Sequence, residues 1–409
     1  MKSQVLVTTL LEAAQTNDFG GYDPFDGLNS WIFTVFPFLK DTLVGLAWIQ
    51  LFKHSPINLR PLFGVPKRRN PKGIGLFILG LLEDFKRTKN TEFLDQAINL
   101  ADWLLTQQCS KAQWQHSCWG YHFDWKARAF YVPKGKPNVI TTIYVAQALL
   151  ALSKVLVAQG DNKAALSYRS SALDAANFIV NTLYTEEGGR TFFAYIPGEM
   201  AFVHNASLWA AAWVAVVADE TNNIEYRKLA LAVARQSAAE QAEDGSWVYG
   251  ARNHHQFIDS FHTGYNLEAL NLIRQSLKTD EFDATISRGF TYYKANFFET
   301  DGAAKYYNTN RYPLDMHSVA QAVITLTQLA GEDGDIDADT KLVEQVIQHS
   351  IDILYMPSTN RFVYQKNKWF TNRINYMRWT QAWVYLSLAK FQNHVNMRAL
   401  SRAGAAEPL

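Results

Sequence analysis

Asp259 and Asp315 each stand immediately ahead of a strongly apolar helical stretch. Two carboxylates flanking a glycosidic bond can act as general acid and general base, so this pair is the first candidate for hydrolytic chemistry. Asp124, between Phe123 and Trp125, is a third candidate, because aromatic neighbours raise a carboxyl pKa. His262 and Tyr265 offer a different chemistry, removal of a proton alpha to a carboxylate, as a lyase or epimerase requires. Around these groups lie the residues that a sugar needs. Trp119, Tyr121, Trp125, Trp247, Tyr249 and Tyr265 present flat faces for C–H surfaces, and Asn138, His204, Asn205 and Asn266 present short polar groups for hydroxyls. His254, His317, Arg378 and Gln381 complete the binding set, with His262 and Arg378 suited to an anionic group. Each has a structural reading beside the functional one: Asp is a preferred helix N-cap, and an aromatic ring can simply staple a long loop.

No metal or other cofactor is expected. His254, His255, His262 and His317 fit neither a helical His pair nor an HExxH pattern, and no cysteine is near them. The acidic run Asp333–Asp339, with Glu344 beyond it, approaches calcium-loop spacing but has Ala338 where a glycine is needed. The basic run Lys67-Arg68-Arg69 could hold a negatively charged ligand at the rim or be a solvated loop.

Positioning these residues requires a repeat. Apolar, aromatic-rich segments recur around Gly75, Thr142, Ser207, Thr263, Val319 and Thr380. A more polar amphipathic helix lies between neighbours. Six helix pairs of this kind, each burying its apolar face on the next, predict an all-α fold, an (α/α)6 toroid. The inner segments are 73–82, 140–157, 206–218, 261–276, 317–329 and 378–390. The outer ones are 93–108, 164–184, 225–241, 282–298 and 337–356, with 41–52 as the sixth. The domain reading is therefore a single toroid over residues 1–392, with the N-terminal segment 1–52 closing the ring and a flexible tail over 393–409. Inner-to-outer connections are short, as at 159–162, whereas outer-to-inner loops such as 109–139, 185–205 and 242–260 are long and aromatic. Long structured loops usually carry function, so the active face is expected at the inner-helix N-termini, where the helix dipoles also favour an anionic group.

Composition narrows the partners. Hydrophobic residues are 48% and charged residues 19%, enough for a large core. A net charge of +1 gives no electrostatic case for nucleic acid. No run long enough to span a membrane is read, and the first eighteen residues read as an amphipathic helix rather than a signal peptide. Two cysteines, Cys109 and Cys118, are too few for a disulfide framework, and cytoplasmic residence is the expectation. The expected partner is an oligosaccharide or polysaccharide, alone or with polysaccharide-synthesis machinery.

With these residues assembled, the chain resembles the six-hairpin glycosidase superfamily of glucuronyl hydrolases, other toroidal glycosidases, lyases and sugar epimerases. The strings YDPFDGLNS, NPKG, WGYHFDW, PNVITT, IDSFHTGYNLEAL and MRWTQAW look like a bacterial family associated with polysaccharide-biosynthesis clusters. That resemblance implies glycoside-hydrolase-like action on an acidic or lipid-linked oligosaccharide. Lyase or epimerase chemistry is the alternative, and a non-catalytic glycan-binding or scaffold role another. Gln241–Trp247 is similar to the repeat of terpenoid cyclases, but the acidic motif that would protonate a polyene is missing.

Overall fold

A computed structural model describes residues 2–127 and 130–403, without the side chains of residues 2–4. Fifteen α-helices run in chain order: α1 Lys2–Thr16, α2 Trp31–Val35, α3 Leu43–His54, α4 Pro71–Thr88, α5 Thr91–Thr106, α6 Lys111–Trp114, α7 Val139–Ala158, α8 Asn162–Phe178, α9 His204–Thr221, α10 Ile224–Ala239, α11 Ser260–Leu277, α12 Asp283–Phe297, α13 Met316–Gln328, α14 Ile336–Leu354 and α15 Ala382–Arg402. A π-helical turn, Met377–Gln381, leads into α15.

The fold is an (α/α)6 toroid. Helices α4, α7, α9, α11, α13 and α15 pack each on the next, and α15 returns onto α4 to close the inner ring. Their burial explains their composition. Almost every side chain along α7 and α9 is buried, because such a helix meets neighbours on all sides. By length and composition α7 could also cross a membrane, but its apolar surface is mostly buried within the ring. Glycine permits the closest approaches: a Cβ on Gly75 would sit 2.8 Å from the Tyr144 carbonyl oxygen. The outer helices α5, α8, α10, α12 and α14 bury one stripe each, as Leu94, Ala97, Leu100, Ala101 and Leu104 do in α5.

Two expectations are corrected here. The sixth outer helix is α1, not residues 41–52. Leu6, Val7, Leu10, Leu11 and Ala14 form a buried stripe on α1, which packs against α15. Helix α3 instead caps the loop end, on the turn Asp26–Asn29 and the strand Trp125–Lys126. The segment from Asn393 is not a loose tail as far as Arg402. It continues α15, tied down by Asn393 Nδ2 donating to Glu83 (2.7 Å) and by Arg398 on Asp337 (2.6 Å). Residues 404–409 lie outside the described residues.

Helix starts carry the chemistry of the sequence. Asn70, Asn138, Asp259 and Asp315 are N-caps whose side chains accept backbone N–H groups of α4, α7, α11 and α13. The long loops between outer and inner helices fold into short two- and three-stranded sheets over that same end.

Candidate active site

The inner-helix N-termini and the long loops enclose a cavity of ≈ 270 Å³. Asn205, His262, Tyr265 and His317 reach it from the first turns of α9, α11 and α13, and Lys72 from that of α4. Arg378 and Trp379 come from the π turn, and Tyr121, Trp125, Tyr195 and Tyr249 from the loops. Lys53 enters from α3. The lining is therefore aromatic and basic, and among the described residues no Asp or Glu belongs to it.

The predicted carboxylates stand behind this wall, which corrects the acid–base pair of the sequence reading. Asp259 is 2% exposed; Oδ1 accepts the His262 backbone N–H (2.8 Å) and Oδ2 meets His262 Nδ1 at 2.7 Å. Because a carboxylate only accepts, Nδ1 carries the hydrogen, and in the neutral imidazole Nε2 is then a lone-pair acceptor; it has no protein partner among the described residues. Asp315 accepts from the backbone N–H of His317 (2.9 Å) and from Gln365 Nε2 (3.0 Å). Burial pushes its carboxyl up to about 6. Asp124 is spent on Lys40 (2.8 Å), the Tyr131 hydroxyl (2.9 Å) and the Lys134 N–H (2.9 Å). Helix capping and ion pairing thus claim all three.

Two histidines and the Tyr265 phenol lie together at the cavity. Tyr265 Oη lies 2.6 Å from His317 Nε2, and the rings of His262 and His317 both pack on Phe261. Burial, then the charges of Lys72 and Arg378, hold His317 well below its ordinary pKa, so it is neutral. Arg378 is gripped by Asp23 through Nε (2.5 Å) and Nη2 (2.8 Å), which leaves Nη1 without a protein partner among the described residues. Asp23 is itself fixed by a loop built on the buried Arg60–Asp26 pair (2.6 Å) and by Arg60 donating to the Asp23 carbonyl (2.6 Å). Among the described residues Lys72 has no carboxylate partner; its Nζ lies 4.6 Å from the Tyr144 ring centroid and 5.0 Å from that of Trp383. Burial, reinforced by Arg378, lowers its pKa well below the ordinary lysine range.

Of the other predicted residues, Tyr121, Trp125, Asn205, Tyr249, Tyr265, His317 and Arg378 line the cavity. Trp119 and Trp247 do not: each is buried and donates its indole N–H to an outer-helix carbonyl, of Leu104 (2.8 Å) and Ser237 (2.9 Å). These are the loop staples of the alternative reading. Asn138 caps α7, His204 bonds Ser237 Oγ (3.1 Å), Gln381 clamps Phe362, Asn266 is buried off the cavity, and His254 is exposed. Lys53, Lys72, Asp23 and Tyr195 were not assigned from sequence. The signal for Lys72 was present, since NPKG places it one residue after an N1 proline at the start of an inner helix.

No protein-family model and no curated protein matches the chain. Solved structures do share its fold. A heparin-specific unsaturated glucuronyl hydrolase superposes with TM-score 0.63 at 13% identity, covering 97% of this chain and 96% of its own. Cellobiose 2-epimerase from Bacillus thermoamylovorans B4167 gives 0.60 at 12% identity, over 81% of this chain and 90% of its own. A D-mannose isomerase gives 0.57 at 11% identity, over 80% and 87%. The chain is thus similar in fold to toroidal enzymes that process sugars.

Proposed function

We propose that the protein is a carbohydrate-active enzyme that moves a proton at a sugar carbon next to a carbonyl group, as an epimerase or isomerase does. The observation that carries this reading is the His262–Asp259 contact at 2.7 Å, which orients an imidazole into a cavity that no carboxylate lines. His262 Nε2 takes the proton, and the bonding pair moves onto the carbonyl oxygen to give an enediolate. Arg378 balances that oxygen's charge with Lys72 beside it as a hydrogen-bond donor, and the Tyr265–His317 pair supplies a proton to the carbon. Tyr121, Trp125, Tyr249 and Trp379 offer ring faces to the sugar. Hydrolysis by paired carboxylates has no support in this geometry, since Asp259, Asp315 and Asp124 all point their oxygens elsewhere.

A second reading, β-elimination from a uronate, is favoured by the Arg378 guanidinium and the two lysines beside it, Lys53 and Lys72. A cationic lining would neutralise the carboxylate whose alpha proton is lost. NMR of reducing sugars and acidic oligosaccharides after incubation separates these outcomes. A new epimer or ketose supports the first reading and an unsaturated product the second. Hydrolysis products alone would contradict both.

A further inference from the structure

More than half of the large apolar side chains that stand exposed among the described residues fall in two short segments, nine within residues 31–62 and two at 369–370. Phe38 is 72% exposed, Leu43 82%, Leu62 73% and Trp369 85%. Helix α3 buries Gly45, Ile49 and Phe52 on one side and leaves Leu43, Val44 and Leu51 outside. Trp369 sits at the tip of a β-hairpin, Gln365–Lys366 against Thr371–Asn372, closed by the Asn367 N–H donating to the Phe370 carbonyl (2.8 Å). The hairpin is fastened to the end of α3 by Asn372 Nδ2, which donates to the carbonyls of Ser55 (3.1 Å) and Lys53 (3.5 Å). The hairpin that carries Trp369 and Phe370 is therefore joined to the apolar segment at the end of α3.

That face is also one-signed. Residues 31–72 contain seven Lys and Arg but a single acid, Asp41, and residues 355–378 contain five Lys and Arg and no acid. Arg60, Lys72 and Arg378 are buried, Lys53 turns into the active cavity, and Lys40 and Arg69 pair with Asp124 and Asp18. Among the described residues the cations of the face without a carboxylate are therefore Lys67, Arg68, Arg361, Lys366, Lys368 and Arg373. The whole chain carries only +1. Beside Ile57 opens a pocket of ≈ 380 Å³ lined by Pro56, Asn58, Lys67, Arg361 and Arg373 among others, with no Asp or Glu. Neither Arg361, Arg373, Lys67, Lys366 nor Lys368 has a carboxylate partner among the described residues, and Arg361 Nε is buried with no hydrogen bond. Lys368 lies over the Trp369 ring at 4.9 Å.

We propose that this face docks the protein on an anionic membrane surface, with Trp369, Phe370 and the outer side of α3 entering the interface and the Lys67–Arg361–Arg373 pocket taking a lipid phosphate. Exposed Trp, Phe and Leu flanked by Lys and Arg are the chemistry of interfacial binding, in which apolar insertion and attraction to acidic lipids act together. A second copy of this chain across the face would oppose cation to cation. An apolar protein partner would leave the basic pocket unpaired. Because α3 also supplies Lys53 to the active cavity, docking would bring that cavity close to the bilayer.

The test is co-sedimentation of the full chain with vesicles of phosphatidylcholine alone and with about one part in three phosphatidylglycerol. The expected result is binding to the acidic vesicles that weakens with salt. Trp369→Ala with Phe370→Ala should reduce the partition coefficient at least about tenfold, and Arg361→Ala or Arg373→Ala roughly fivefold each. Trp369 is 85% and Phe370 43% exposed and neither lines the active cavity, so turnover of a soluble sugar should be unchanged in that variant. Three results would overturn the proposal: no binding to acidic vesicles, binding indifferent to the tip substitutions, or a dimer in ultracentrifugation that the same substitutions dissolve.

Discussion

Asp259 and Asp315 occupy the same place in successive repeats, one residue before α11 and α13, and both cap the helix that follows. They differ in the second oxygen. That of Asp259 holds the imidazole of His262, whereas that of Asp315 accepts from Gln365, on the strand beside it. The first arrangement converts a helix cap into an orienting group for a cavity histidine; the second closes a structural joint between α13 and the hairpin at 365–372. The same residue type at the same helical position therefore serves chemistry in one hairpin and assembly in the next. What decides is the residue three positions on: His262 follows Asp259, but Ser318 follows Asp315.

Substitutions can sharpen this contrast. The largest effect is expected for His262→Gln, which removes the cavity base and should lower kcat/KM by about 10²- to 10⁴-fold with an unchanged helical circular dichroism spectrum. Asp259→Asn comes next. Asn caps a helix as well as Asp does, so folding should persist, while loss of the negative partner of Nδ1 should lower turnover by roughly tenfold to a hundredfold. Asp315→Asn should change turnover least, by less than about threefold, because its oxygens touch the His317 backbone and Gln365 but no side chain at the cavity. If Asp315→Asn were the more damaging of the two, the distinction drawn between the caps would be wrong.

Asp315 should instead show itself in stability. Its folded pKa lies at about 6, above the ordinary carboxyl value of 3.8, because burial penalises the charged form. Protonation therefore favours the folded state: this contribution is complete below about pH 4 and is lost as the pH rises through about 6, amounting to up to roughly 3 kcal/mol. Urea unfolding of the wild type and Asp315→Asn at pH 4 and pH 8 should show the variant gaining relative stability at the higher pH. Equal differences at both would contradict the burial argument.

Much of this molecule was legible in its residues. The six apolar stretches located every inner helix, with starts within four residues, because a helix surrounded by helices must be apolar all round; α4 and α15 run on past the expected ends at 82 and 390, to Thr88 and Arg402, where they leave the ring's interior. The choice of Asp259 and Asp315 as helix starts was equally readable, since N-capping is local. What a single chain could not disclose was the destination of each remaining oxygen and ring edge. Trp119 and Trp247 sit in loops rich in sugar-binding residue types, yet the indole N–H of each finds a helix carbonyl inside the wall. Asp23 and Arg378 are 355 positions apart, and their pairing exists only because the ring closes. The run from Leu43 to Phe52 reads as the sixth outer helix because it is more apolar than α1; part of that apolarity, at Leu43, Val44 and Leu51, is exposed instead.

The central claim is that His262, aimed by Asp259, exchanges a proton with a sugar carbon. Incubation of a turned-over sugar in heavy water, followed by mass spectrometry of both recovered substrate and product, tests it directly. The account predicts one carbon-bound deuterium in the product, formed by wild type and lost with His262→Gln. A product free of carbon-bound deuterium would suit a sugar bond cleaved without any carbon acid, and would contradict it, as would undiminished labelling by the His262 variant.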